Sequence, residues 1–229
     1  MEKIKEKKKY LEGTAGILRK SQKEKKKYYT KILGKRFVVY PNVFSPKYFK
    51  DTEFFAKEIP IKKGEEFLEI GCGTGIISIF VALKGASKIL AVDINSNAVK
   101  NAKENAKLHK VEKKLKVLYG DLFQPIRKGA KFNSIFWNTP FGYVKRKVSM
   151  LERAVFDPGY KATKRFITES KKYLKKDGRL LIGFSSTLGH LNLLKKLLKR
   201  EGYKMKLIKE KKSKEKYPVK FQLYEAVRK

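Results

Sequence analysis

The tetrapeptide Asn138-Thr139-Pro140-Phe141 combines groups that suit one kind of chemistry. A planar amino nitrogen has its lone pair delocalised into a ring or a carbonyl, so it is a poor nucleophile. Two acceptors that hold both of its hydrogens favour the pyramidal, reactive form. The Asn138 side-chain carbonyl is one such acceptor. The main chain of Thr139 offers another, and Pro140 restricts Thr139 to extended geometry, which fixes the direction of that carbonyl. Phe141 provides an aromatic face for a planar group, and Gly142 leaves room beside it. The same residues would also make an ordinary turn after a strand.

A second cluster, Glu69-Ile70-Gly71-Cys72-Gly73-Thr74-Gly75, sits where a strand turns into a helix. Glycine there permits positive φ and lets backbone N–H groups approach a ligand. Asp93 ends the next strand, 22 residues after Gly71, with Ile94 beside it. A carboxylate at that point can accept both ribose hydroxyls of a nucleoside. Asp121 follows the third strand and can accept from an adenine amino group, while the N–H of Leu122 donates to a ring nitrogen. A dinucleotide loop wants its third glycine at position 76, but Ile76 stands there and glycine comes one residue early. The acidic Glu69 would repel a pyrophosphate and suits a cofactor with a cationic amino-acid end. S-adenosylmethionine is such a cofactor; NAD and a plain glycine-rich turn are the weaker readings. Cys72 has a small side chain suited to packing within the loop.

These residues need elements to hold them. From residue 66 strands and helices alternate: strands over 66–70, 88–92, 115–119, 134–137, 179–184, 203–209 and 219–227, and helices over 76–84, 97–109, 160–174 and 191–200. Asp177-Gly178 reads as a turn. Such alternation predicts an α/β, Rossmann-like fold: a seven-stranded, mostly parallel sheet with helices on both faces and an antiparallel edge strand. Residues 61–229 form this domain. Residues 1–60 are a Lys-rich extension, a frayed amphipathic helix with Ile4, Leu11, Ile17 and Leu18 or a disordered arm, followed by a segment that covers the cofactor. The run from Tyr143 to Tyr160 is long for a connection and has the length of a substrate lid.

The stretch from Glu66 to Phe141 resembles the core of the class I S-adenosylmethionine-dependent methyltransferases. The resemblance implies that Gly71, Gly73 and Gly75 wrap the cofactor, Asp93 binds ribose and Asp121 binds adenine. The tetrapeptide at 138 is similar to the Asn-Pro-Pro-Tyr/Phe motif of adenine-N6 and release-factor glutamine methyltransferases, with Thr139 in place of proline. Upstream, Pro46 to Glu53 loosely resembles a segment that roofs the cofactor in the glutamine enzymes; Lys47 stands for their usual Arg. Only Thr52 is carried over from it, and Asp51 reads equally as a helix cap. The implied activity is methyl transfer to a planar nitrogen of a protein amide or a nucleic-acid base. The rival is a non-catalytic RNA- or ribosome-binding adaptor on the same fold.

Composition limits the remaining choices. The chain has 229 residues, 57 basic against 22 acidic, for a net charge of +35. Such a field attracts phosphate polymers, which favours an RNA or ribonucleoprotein setting and non-specific nucleic-acid association. Yet only nine of the basic residues are Arg and 48 are Lys. A groove built to grip nucleic acid would be expected to use more Arg, so a solvated, biased surface explains much of the charge. One cysteine excludes an intrachain disulfide framework and a Cys-based zinc cluster. With two His, no metal is expected; His109 reads as solvated and His190 as structural. The apolar run Ile76 to Leu83 is too short for a membrane span. The charged start Met1-Glu2-Lys3 does not resemble a signal segment, and a cytoplasmic setting is expected.

Overall fold

The computed structural model describes residues 2–213 and 218–228. In chain order it runs α1 (Glu2–Ser21), β1 (Tyr28–Ile32), β2 (Lys35–Val39), α2 (Asp51–Glu58), β3 (Glu66–Ile70), α3 (Ile76–Leu83), β4 (Lys88–Asp93) and α4 (Ser96–Leu108). Then follow β5 (Leu115–Tyr119), β6 (Phe132–Asn138), β7 (Gly142–Val144), β8 (Phe156–Pro158), α5 (Lys161–Ser170), β9 (Leu174–Phe184), α6 (Leu191–Arg200), β10 (Tyr203–Lys212) and β11 (Lys220–Arg228). Seven strands form one sheet in the order β10-β11-β9-β6-β3-β4-β5. The pairs β9–β6, β6–β3, β3–β4 and β4–β5 are parallel. β11 runs antiparallel between β9 and β10, so the antiparallel pair stands at that edge.

β3 is central and covered on both faces, which is why Phe67, Leu68 and Ile70 form a near-continuous apolar run. Chain order reverses at the β3–β6 junction. The carboxyl ends of parallel strands on either side of such a reversal leave a crevice. Gly71, Asp93, Gly120-Asp121 and Asn138 therefore share one edge of the sheet.

The expected turn at Asp177-Gly178 is corrected to part of a strand. β9 begins at Leu174, but its pairing with β6 jumps from Phe132–Leu174 to Ser134–Arg179. Residues 175–178 bulge out opposite one residue of β6, so the turn-forming sequence is absorbed as a kink in a longer strand. The helix read over 160–174 is shorter, because Tyr160 takes positive φ (53°), residues 171–173 form a turn and Leu174 opens β9. His109 is only half-solvated: its Nε2 lies 2.9 Å from the Arg36 carbonyl and its ring packs 4.4 Å from that of Phe37.

The N-terminal extension joins the main core instead of forming its own. Ile32, Phe37, Phe54 and Phe55 pack with the residues under β3 and α3. β1 and β2 form a hairpin closed by Leu33 and Gly34, both at positive φ, the geometry that matches strand twist in a two-residue turn. Two buried asparagines of α4 then act as a substitute strand for β2. Asn105 accepts from Val38 N (2.9 Å) and donates to Val38 O (2.8 Å) and Thr74 O (2.9 Å). Asn101 accepts from Tyr40 N (2.9 Å) and donates to Val38 O (2.8 Å). α1 carries Leu18 against Leu151, Val155 and Phe156, with Leu11 beside them. The side chain of Ile4, expected on the same face, lies outside the described residues.

Candidate active site

The crevice is a cavity of about 680 Å³. Thr52, Glu69, Gly71, Cys72, Gly73, Asp93, Ile94, Asp121, Leu122, Asn138 and Pro140 all line it. The glycines are required by geometry. Gly71 has φ of 65°, and a Cβ there would stand 2.9 Å from Trp137 Nε1. Gly75 has φ of 76°, and a Cβ would meet the Ala102 Cβ at 2.8 Å, so its absence lets α4 close under the loop. Gly73 (φ 53°) has open space where a Cβ would project.

Two acids, Asp93 and Glu69, are buried in the cavity wall. Asp93 Oδ2 accepts from Gly73 N and Oδ1 from Asn95 N, each at 2.8 Å. Those bonds use one lone pair on each oxygen and leave others for hydroxyl donors. Burial raises the Asp93 pKa, and the backbone donors oppose it. Glu69 is 2% exposed; its Oε2 accepts from Ser78 N at 3.0 Å and from the Ser78 hydroxyl. Burial pushes its pKa up to about 8, with the hydrogen bonds from Ser78 opposing and the nearby Asp93 charge adding to the rise. A cation placed there would stabilise the ionised form. Burial, then Asp93 and Glu69, push the Cys72 thiol far up, so it packs as a neutral group. Asp121 is held at the opening by Arg165 Nη1 (2.6 Å).

At the end of β6, Asn138 donates Nδ2–H to Asp51 Oδ2 (2.8 Å), and its Oδ1 is buried with no partner. Thr139 donates both its N–H (3.1 Å) and its hydroxyl (2.8 Å) to the Gly183 carbonyl. A proline at this position could make neither bond, which gives Thr139 a local reason. Tyr160 donates its hydroxyl to the Phe141 carbonyl (2.6 Å) and accepts from His190 N (2.9 Å), tying the loop to α6. Phe141 itself is buried edge-on against Phe184. Its ring faces the core, and Trp137 and Pro140 supply the apolar wall of the cavity at this end. The run from Tyr143 to Tyr160 is pinned by the parallel pair β7–β8 and lines the opening with Arg146, Met150, Leu151 and Arg153.

Sequence reasoning missed Asp51 and Trp137. The helix cap expected of Asp51 is corrected: Asp51 opens α2, and Lys50 precedes it without a side-chain cap. The signal for Asp51 was its place one residue before Thr52, in the segment already suspected of roofing the cavity. Trp137 had a weaker signal, its position next to Asn138 at a strand end. Among the described residues no cluster of three or more His, Cys, Asp or Glu could hold a metal, and no helix is long and apolar enough to cross a membrane.

A glycine loop, two buried acids and a third at the opening, ranged along one sheet edge, fit a nucleoside cofactor with a cationic tail. Comparison with known proteins agrees. The family model described as methyltransferase small domain matches residues 34–214, and the chain belongs to that family. It is an S-adenosylmethionine-dependent N-methyltransferase. A Methanocaldococcus jannaschii protein, named provisionally as a protein N5-glutamine methyltransferase, is 38% identical over 181 residues, covering 77% of this chain and 88% of that one. The release factor glutamine methyltransferase of Aquifex aeolicus is 30% identical over 194 residues, covering 78% of this chain and 66% of its own length. The solved T. thermophilus 16S rRNA N2 methyltransferase, in complex with AdoMet and guanosine, shares the fold. Its TM-score is 0.65 at 17% identity, over 89% of this chain and 50% of that chain.

Proposed function

We propose that this enzyme methylates the side-chain amide nitrogen of a glutamine in a protein. The observation that carries the reading is Asn138, at the mouth of β6, in the same cavity as the glycine loop and Asp93. The glutamine enzymes among its relatives support an amide over a base.

Bound S-adenosylmethionine supplies a methyl group already activated by sulfonium. Gly71 and Gly73 clear space for it, Gly75 shapes the loop from below by letting α4 approach, Glu69 faces its cationic end, and Cys72 packs beside them. Asp93 accepts from ribose, with Ile94 as a wall. Asp121 and the N–H of Leu122 hold adenine, and Thr52 covers it from α2. Asn138 Oδ1 and the Thr139 carbonyl accept hydrogen bonds from the acceptor nitrogen, and Pro140 fixes the second of these; Oδ1 lies closed against Gly183, so the Asn138 side chain turns to meet the acceptor, and the displaced N–H proton leaves to water after transfer. Phe141 contributes from behind, by holding the loop against Phe184. Aligning donor and acceptor in this way can lower a barrier by roughly 7–11 kcal/mol. Residues 1–60 form the covering segment and 61–229 the catalytic domain. A cytoplasmic setting completes the reading, in keeping with Cys72, which is free and buried.

The test is transfer of radiolabelled methyl to whole-cell protein and RNA fractions. Label in a protein band, recovered as N5-methylglutamine, is the expected result. Label in RNA alone would move the acceptor to a base, and no label in either would leave the adaptor reading.

A further inference from the structure

The cavity opening has a charge pattern that the rest of the surface does not share. Across the chain Lys outnumbers Arg 48 to nine. Around this cavity the two are equal: Lys145, Lys147 and Lys161 against Arg146, Arg153 and Arg165. One-third of the arginines therefore line a single opening, while lysine is thinned there. Compositional bias supplies lysine everywhere, so it does not account for this local exchange.

The cations are also available. Arg146 pairs with Glu152 and Arg165 with Asp121, but the guanidinium side chains are 53% and 47% exposed. Such exposed pairs are weak and exchange readily for another anion. Lys145, Lys147, Arg153 and Lys161 are exposed and have no acidic partner among the described residues. Three of these charges lie on the loop between β7 and β8, and Lys161 opens α5 beside it. The planar fork of Arg fits phosphate oxygens in pairs. Met150, 47% exposed on the same rim, offers apolar contact beside them.

We infer that this rim is a docking surface for an RNA strand, held through its phosphodiester backbone next to the acceptor pocket. RNA is favoured over an acidic peptide because the rim's three arginines suit phosphate oxygens, and because a net charge of +35 draws a long polyanion from a distance. The enzyme then meets its acceptor on a ribonucleoprotein. This extends the proposed function and does not depend on which nitrogen is methylated.

The experiment measures binding of a labelled single-stranded oligouridine by fluorescence anisotropy across a salt series. One variant replaces Lys145, Lys147, Arg153 and Lys161 by Gln. A matched control replaces four exposed lysines of β10, Lys204, Lys209, Lys211 and Lys212, by Gln. Circular dichroism and thermal unfolding report that each variant is folded. For four fewer phosphates neutralised, the log–log salt slope should fall by about 3 in the rim variant, with affinity at least about tenfold weaker at moderate salt and the control within about threefold. Equal weakening in both variants, or no loss in the rim variant, would overturn the proposal. So would tighter binding of a glutamate-rich peptide than of oligouridine at the same salt. Methyl-transfer activity is not part of the readout, so failure here is separable from failure of the catalytic assignment.

Discussion

Asn138 and Asp51 are joined across 2.8 Å, Nδ2 to Oδ2, and this bond ties the end of β6 to the start of α2. An asparagine amide has two ends of nearly equal shape. Burial raises the Asp51 pKa and the bond from Asn138 opposes that rise; an accepting carboxyl oxygen selects the NH2 end and directs Oδ1 the other way. Asp51 therefore sets which atom of Asn138 is left unpartnered. Replacing Asp51 by Ala should lower kcat about tenfold or more, the size of one charge-assisted hydrogen bond at about 1.4 kcal/mol. Cofactor affinity should stay within about threefold, since Asp51 is not at the glycine loop. Asn138→Ala should abolish turnover with the same small effect on cofactor binding. Single-turnover kinetics beside calorimetry checks both, and parallel losses of kcat and affinity would contradict this division of roles.

Glu69 makes the cofactor-free enzyme sensitive to pH. Burial raises its pKa from 4.5 to about 8. The folded chain then keeps a proton that the unfolded chain gives up earlier. The stabilisation is complete below 4.5 and is lost as pH climbs towards 8. Glu69→Gln keeps an acceptor for Ser78 and removes the titration. The gap in melting temperature, variant above parent, should widen from about pH 5 to about pH 8. A gap that does not change with pH would mark Glu69 as an ordinary carboxylate.

Asp93 has two duties that conservative substitutions can separate. It caps the backbone at Gly73 and Asn95, and it presents its spare lone pairs to the cavity. Asp93→Ala should weaken S-adenosylmethionine binding at least about tenfold, or about 1.4 kcal/mol. Asp93→Asn keeps one acceptor and should fall between parent and Ala. Titration calorimetry reads both, and unchanged affinity in the Ala variant would remove Asp93 from the site.

Asn105 links the hairpin to the glycine loop, because one amide serves both Val38 and Thr74. Asn105→Leu would leave Val38 N and Thr74 O without this partner, while Val38 O keeps its bond from Asn101. Each orphan costs about 1–3 kcal/mol, so denaturant unfolding should show a loss in that range or above. Cofactor affinity should drop as well, since Thr74 lies within the loop. A loss below about 0.5 kcal/mol would show that water replaces the asparagine.

The parallel sheet was legible because its strands are buried on both faces and read as unbroken apolar runs. β5, Leu115–Tyr119, was placed to the residue. The glycine loop and the three acids were legible because strand-to-helix turns fix where they fall. What the sequence hid depends on long-range contact. Asp51 meets Asn138 across 87 positions, and neither local spacing nor propensity encodes that pairing. β1 was lost among lysines, since Tyr28-Tyr29-Thr30-Lys31-Ile32 has alternation but no turn residue other than Gly34 to announce it. The direction of Phe141 was hidden for a similar reason: the tetrapeptide gives its position, and Phe184, far along the chain, decides which way the ring faces.

The N-terminal helix gives the last test, because its hold on the cavity wall is local. Leu18 is 2% exposed and packs on Leu151, Val155 and Phe156, in a cluster separate from the two main cores. The loop it covers carries the cavity rim. Leu18→Ala removes the central side chain of that small cluster, a change that commonly costs 2–5 kcal/mol, or about half that where the site can collapse. Because α1 and the rim form a peripheral unit, the loss should appear as local opening ahead of global unfolding. Hydrogen exchange should quicken at the amides of residues 145–156 by about tenfold or more, while those of β3 and β4 keep their protection. If the sheet amides accelerate equally, α1 belongs to the global core and the rim is not held by it alone.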